Sequence, residues 1–147
     1  MKITLVAVGK LKEKFLIDGI AEYLKRLRPF VKVEIVEIPE CKTVDEEAEK
    51  ILSRVSKNSK LFVLDVFGEE LTSENFAKKI ADLTLTGESD FTFAIGGAFG
   101  LGEELRKAAD FKLSLSKMTF THQMTRIILL EQIYRAFKIN RGEPYHW

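Results

Sequence analysis

Apolar positions along this chain alternate between two rhythms. Residues 2–8 form a nearly continuous apolar run, suited to a strand buried on both faces. Residues 13–28 place Leu16, Ile20, Tyr23, Leu24 and Leu27 at helical spacing, and Pro29 ends that pattern. Val31, Val33, Ile35 and Val36 predict a second strand, closed by Pro39. Thr43 or Asp45 can cap a helix reaching about Ser56, with Ala48, Ile51, Leu52 and Val55 as its inner stripe. Residues 61–67 predict a third strand ended by Gly68, and Ser73 opens a helix with Phe76, Ile80 and Leu83 facing inward. Residues 91–95 predict a fourth strand, followed by the glycine-rich stretch 96–102 and a short helix over 103–109. Phe111, Leu113 and Leu115 predict a fifth strand, and a last helix runs from about Gln123 to Ile139.

This order predicts an α/β fold: a single domain over residues 1–147 with one mostly parallel, five- or six-stranded sheet covered by helices on both faces. Ligands of such sheets sit beyond the C-terminal strand ends. That points to three loops, at 64–68, 96–102 and 115–122. The last helix contains Ile127-Ile128-Leu129-Leu130, apolar around its whole circumference. It needs cover on more than one side. A chain of 147 residues has little material for a double cover, so a homodimer is expected.

Composition narrows the class. With 46% hydrophobic and 31% charged residues the chain is an ordinary folded domain. At this size it can bury roughly 68–70% of its unfolded surface without disulfides or metal. The one cysteine, Cys41, cannot form an internal bridge and has no partners at zinc-ligand spacing, so no metal is expected. The first apolar run is too short for a signal-peptide core, and no stretch approaches the ~18 apolar residues of a membrane span. A cytoplasmic location without membrane partner is the expectation.

Net charge is only +1, yet residues 40–90 carry 12 acids and 7 bases, whereas residues 111–147 carry 6 bases and 2 acids. A modestly basic end can contact phosphate, or can be an ordinary solvated face.

Three constellations could carry chemistry. In the first, Gly96-Gly97-Ala98-Phe99-Gly100-Leu101-Gly102 follows a strand and precedes a helix. Such a loop lets backbone approach a ligand, or simply makes a tight turn. A P-loop would need Gly-Lys-Ser/Thr where Gly102-Glu103-Glu104 stands, and a dinucleotide fingerprint would sit on the first strand with an acid about 20 residues on. Neither fits well. The second constellation, residues 113–123, mixes Leu, Met and Phe with hydroxyls that can read an adenine edge, or is a plain loop with Thr121 as helix cap. His122 is a candidate base there, or a surface or capping residue. The third is the tail Asn140-Arg141-Gly142-Glu143-Pro144-Tyr145-His146-Trp147, whose aromatics and cation suit base stacking and phosphate contact, or merely pin the tail.

Together these pieces carry a resemblance. Gly96-Gly97-x-x-Gly100-Leu101, the run from Leu113 to Phe120 with His122, the run from Glu131 to Ile139, and Pro144-Tyr145-His146 look like the ribosomal RNA large-subunit methyltransferase H family. The start, Met1 to Lys10, and Glu22-Tyr23-Leu24-Lys25-Arg26 resemble it too, so the likeness covers essentially the whole chain. It implies a SPOUT-class enzyme whose C-terminal segment is threaded into a trefoil knot, a rare exception to the no-knot rule. It implies a homodimer that transfers a methyl group from S-adenosylmethionine to N3 of a pseudouridine in 23S rRNA, on the assembled ribosome. By motif position, the cofactor pocket would use Leu64, Gly96, Leu115, Ser116, Lys117, Met118, Thr119 and Phe120. No dominant general base stands out: His146 is a candidate acceptor for the imide proton and His122 a weaker one, or a cation, Arg135 or Arg141, stabilises the deprotonated base; Arg135, Lys138, Arg141 and Tyr145 are candidate RNA contacts. Ala98-Phe99, Thr121 (where the family usually has Pro) and the final Trp147 depart from the family pattern. Apart from the resemblance, the residues alone reach an α/β protein with a ligand loop. A nicotinamide or flavin oxidoreductase and a non-catalytic RNA-binding dimer are the competing readings.

Overall fold

A computed structural model describes residues 1–145. Ten elements alternate along the chain: β1 (Lys2–Val8), α1 (Lys14–Leu27), β2 (Lys32–Ile38), α2 (Val44–Leu52), β3 (Lys60–Glu70), α3 (Ser73–Leu85), β4 (Asp90–Ile95), α4 (Glu103–Ala108), β5 (Phe111–Ser114) and α5 (His122–Asn140). The strands form one sheet in the order β2-β1-β4-β3-β5, every neighbouring pair parallel.

Alternation along each strand sorts side chains between two cores. Ile3, Leu5 and Ala7 of β1, Phe62 of β3, and Phe91, Phe93 and Ile95 of β4 face α1, α3 and α5. Val6, Val8, Leu61, Val63 and Ala94 face the opposite layer, where α2 and α4 contribute Ala48, Ile51 and Leu105. Strands β1 and β4 lie between other strands and are covered on both faces, hence their near-continuous apolar sequences. Edge strand β2 instead exposes Lys32, Glu34 and Glu37, charges that discourage further pairing.

The element boundaries shift for local reasons. α2 stops at Leu52 rather than near Ser56, because the Ser53 hydroxyl turns back to Lys50 O (2.6 Å) and the next amides reach only three residues back. β3 continues past Gly68 to Glu70 through an irregularity: Leu64 and Glu69 both stand opposite Leu113, so the residues between them bulge out of the ladder.

α5 receives its double cover within one chain. It packs against α1 on one side and α3 on the other, and lies over β1 and β4. Leu129 and Leu130 are fully buried, and Ile127 packs against the same core. Ile128 is only half-buried and lies outside that core, so one chain covers most of the circumference of the run but not all of it.

Candidate active site at the strand ends

The three loops singled out above meet at the C-terminal edge of the sheet and enclose a cavity of about 560 Å³. That volume falls within the range of small-molecule and cofactor sites, roughly 300–1,000 Å³.

The first wall is the glycine stretch after β4. Gly100, at φ +90°, makes a turn that returns its N–H to Gly97 O (3.2 Å). The fold leaves no room for a side chain at Gly96: a Cβ there would stand 2.8 Å from Gly100 O and 2.9 Å from Leu101 Cδ2. Gly96, Gly97 and Gly100 therefore present bare backbone to the cavity. The second wall is the β3 bulge. Buried Asp65 accepts Phe67 N–H at Oδ1 (3.0 Å) and Arg106 Nε–H at Oδ2 (3.3 Å), tying the bulge to α4. The third wall is the β5–α5 connection. Ser114 Oγ donates to Ser116 O (3.0 Å), and Ser116 Oγ accepts Met118 N–H (3.0 Å), so the loop is shaped by its own hydroxyls. Thr121 caps α5 by accepting Met124 N–H at Oγ1 (3.2 Å). The first turn of that helix adds His122 and Thr125 to the wall and brings the positive end of the helix dipole to the cavity.

Seven of the eight expected cofactor residues line this cavity: Leu64, Gly96, Leu115, Ser116, Met118, Thr119 and Phe120. Lys117 does not; its side chain is exposed beside the loop, and only the flanking residues point inward. Asp65 and Phe67, within the 64–68 stretch, also belong to the wall, as do Arg106 and Thr125, which were not singled out from sequence. Asp65 stands out in the sequence as the one acid within the apolar run 61–67. The Thr121 departure from the family pattern has a physical role, since a threonine side chain caps where proline has no hydroxyl. Thr121→Ala is expected to cost about 1 kcal/mol, lowering the melting temperature by about 3 °C in a thermal scan.

The expected RNA contacts lie away from the cavity wall, and all are engaged within the chain. Arg135 holds Glu131 (2.6 Å) and donates to Tyr145 O. Lys138 pairs with Glu143 (2.6 Å), and the Arg141 guanidinium sits 4.2 Å from the Phe30 ring centroid. Tyr145 donates its hydroxyl to Glu74 (2.8 Å), a bond that raises the phenol's pKa above its ordinary value. His146 lies outside the described residues. Arg126, counted above among the bases of the C-terminal end, is fully buried and unavailable to phosphate.

Two apolar residues of the cavity are largely exposed, Phe67 at 87% and Met118 at 77%, and Phe99 of the glycine loop is 78% exposed. Among the described residues there is no group of three or more His, Cys, Asp or Glu placed to hold a metal ion, and no helix long and apolar enough to cross a membrane.

Residues 1–146 match the family model described as "Predicted SPOUT methyltransferase". The chain belongs to the SPOUT methyltransferase family. Its similarity to particular members spans full length. It is 51% identical to the ribosomal RNA large subunit methyltransferase H of Carboxydothermus hydrogenoformans, 49% to that of Halothermothrix orenii and 48% to that of Acetivibrio thermocellus. Each alignment covers 99% of both chains. The family read from the glycine loop, the 113–122 run and the C-terminal helix is therefore the family found. The cavity lies where the loops that carry those motifs converge.

Proposed function

We propose that this SPOUT methyltransferase uses S-adenosylmethionine to methylate N3 of a pseudouridine in 23S ribosomal RNA, acting as a homodimer on the assembled ribosome. The observation that carries the reading is the cavity itself: nucleoside-sized, walled by bare backbone at Gly96 and by the loop from Leu115 to Phe120. Bare backbone supplies donors and acceptors for an adenine edge, and Leu115, Met118 and Phe120 supply apolar surface for its ring. The names of the full-length relatives support a ribosomal RNA substrate.

The cofactor supplies an electrophilic methyl group on a sulfonium. What remains for the chain is to bind, to orient and to manage one proton. Orientation comes from walls fixed by internal hydrogen bonds at Asp65, Ser114 and Ser116. The imide nitrogen must lose its proton, and His146 is the proposed acceptor. His122, a residue of the cavity wall, is the second candidate. The positive end of α5 favours the anionic form of the base. The exposed Phe67, Phe99 and Met118 suit contact with unstacked bases or with a second copy of the chain. Threading of the C-terminal segment is part of the same reading.

Ribosomes from a strain lacking the modification, incubated with the protein and labelled S-adenosylmethionine, are expected to acquire label in 23S rRNA, with N3-methylpseudouridine as the product nucleoside. Label on another nucleoside would reject the substrate assignment. Absence of label despite cofactor binding would favour a non-catalytic RNA-binding role.

A further inference from the structure

Helix α2 carries a glutamate where its packing calls for an apolar residue. Val44, Glu47, Ala48 and Ile51 lie on one face of this nine-residue helix, at helical spacing. Ala48 and Ile51 are sealed in the core beneath the sheet, and Glu47 is only 4% exposed beside them. Its Oε1 is buried and has no hydrogen-bond partner among the described residues. A carboxylate oxygen without a partner in such a place is strongly unfavourable, and an apolar side chain of similar volume would be more stable. Local rules of this kind are broken mainly where a residue serves function.

The carboxylate abuts the glycine loop from behind. A Cβ on Gly97 would stand 3.0 Å from Glu47 Oε2 and 3.1 Å from Oε1. The far end of the loop rests on the same helix, since a Cβ on Gly102 would meet Ala48 Cβ at 2.9 Å and Val44 O at 3.2 Å. Both ends of the loop thus sit close on α2, at Gly102 at a separation that leaves no room for a Cβ. The other side of this single layer of backbone is the cavity wall. The orphan oxygen thus lies against the backbone of Gly97, a residue that carries its own N–H donor.

We propose that Glu47 is a positioning residue for the glycine loop: its Oε1 accepts a backbone N–H of the loop as the loop settles on the bound adenosyl group, bracing the cofactor wall from behind. The inference rests on the methyltransferase reading and deepens it. Glu47 touches neither cofactor nor reacting atoms. It acts through the loop, by a charge-assisted bond in a water-poor setting where such bonds are strong.

The test compares wild type, Glu47→Met and Glu47→Gln in S-adenosylmethionine titration calorimetry, thermal melting, and amide hydrogen exchange over residues 96–101 with and without cofactor. Glu47→Met fits the apolar stripe, so it is expected to melt at or above the wild-type temperature. It should nevertheless bind cofactor about tenfold more weakly and lose the cofactor-induced protection of the loop amides. Glu47→Gln keeps one acceptor oxygen and should recover part of the affinity, to about threefold below wild type. Wild-type affinity and protection in both variants would overturn the proposal. So would a methionine variant that loses stability along with affinity, which marks a purely structural residue. Should that variant not fold, Glu47→Gln decides by the same two readouts. If the wild type itself takes up no S-adenosylmethionine, the methyltransferase reading falls and this inference with it; binding by wild type and variants alike rejects only the role of Glu47.

Discussion

Gly96→Ala is expected to weaken S-adenosylmethionine binding by about 100-fold, or about 2.7 kcal/mol, in a protein that still folds. The added methyl would stand 2.8 Å from the Gly100 carbonyl oxygen and 2.9 Å from Leu101 Cδ2. Leucine can rotate away, but the carbonyl belongs to backbone closed by the bond from Gly100 N–H to Gly97 O. Relief therefore requires the turn to open, and Gly97, Gly100 and Leu101 all form cavity wall. Overpacking of this kind typically costs about 1–3 kcal/mol of stability, which for this chain length lowers the melting temperature by about 3–8 °C. Calorimetric titration together with thermal melting checks both effects. Binding within about threefold of wild type, well under 1 kcal/mol, would mean that the loop is not part of the cofactor wall.

Arg126→Ala is expected to be the most destabilising single change among those considered, at about 3–4 kcal/mol. The side chain is 0% exposed. Its guanidinium donates to Gly9 O (2.8 Å), Val8 O (3.3 Å) and Glu37 Oε2 (2.8 Å), joining the first turns of α5 to the C-terminal ends of β1 and β2. Truncation leaves a cavity and two carbonyls without these donors. Glu37 is partly exposed, so water recovers much of its loss, which keeps the estimate below the sum of the parts. A loss of this size lowers the melting temperature by about 10 °C. The function should suffer beyond stability, because Arg126 lies one turn from His122 and next to Thr125, both in the cavity wall. Urea unfolding of wild type, Arg126→Ala and Arg126→Lys would rank the effects. A stability change under about 1 kcal/mol for alanine would contradict the clamp.

The buried charges show where sequence reading stops. Arg126 and Glu47 each fall in register with the buried stripe of their helix, beside Leu129, Leu130 and Ile133 or beside Ala48 and Ile51, but a charged side chain at such a position reads by its type as exposed. The stripe assigned to α2 contained Ala48 and Ile51 but passed over Glu47, because an acid in the first turn of a helix reads as an ordinary dipole partner. Arg126 was likewise counted in a basic end, either a phosphate contact or an ordinary solvated face. The central strands were legible for the opposite reason. Burial on both faces demands apolar residues at every position, so β1 and β4 stand out as unbroken runs.

Local chemistry, then, settled the alternation of strands and helices, the parallel α/β class, the glycine turn and the Thr121 cap, because each depends on residues adjacent in the chain or one helical turn apart. Family membership was legible from motifs for the same reason. The strand order, the intramolecular cover of α5 and the closeness of Glu47 to Gly97 were decided only by tertiary packing. So was the convergence of loops from β3, β4 and β5 on one cavity. These features join residues far apart in sequence, and such contacts form only when the sheet and its two helical layers have closed around their cores.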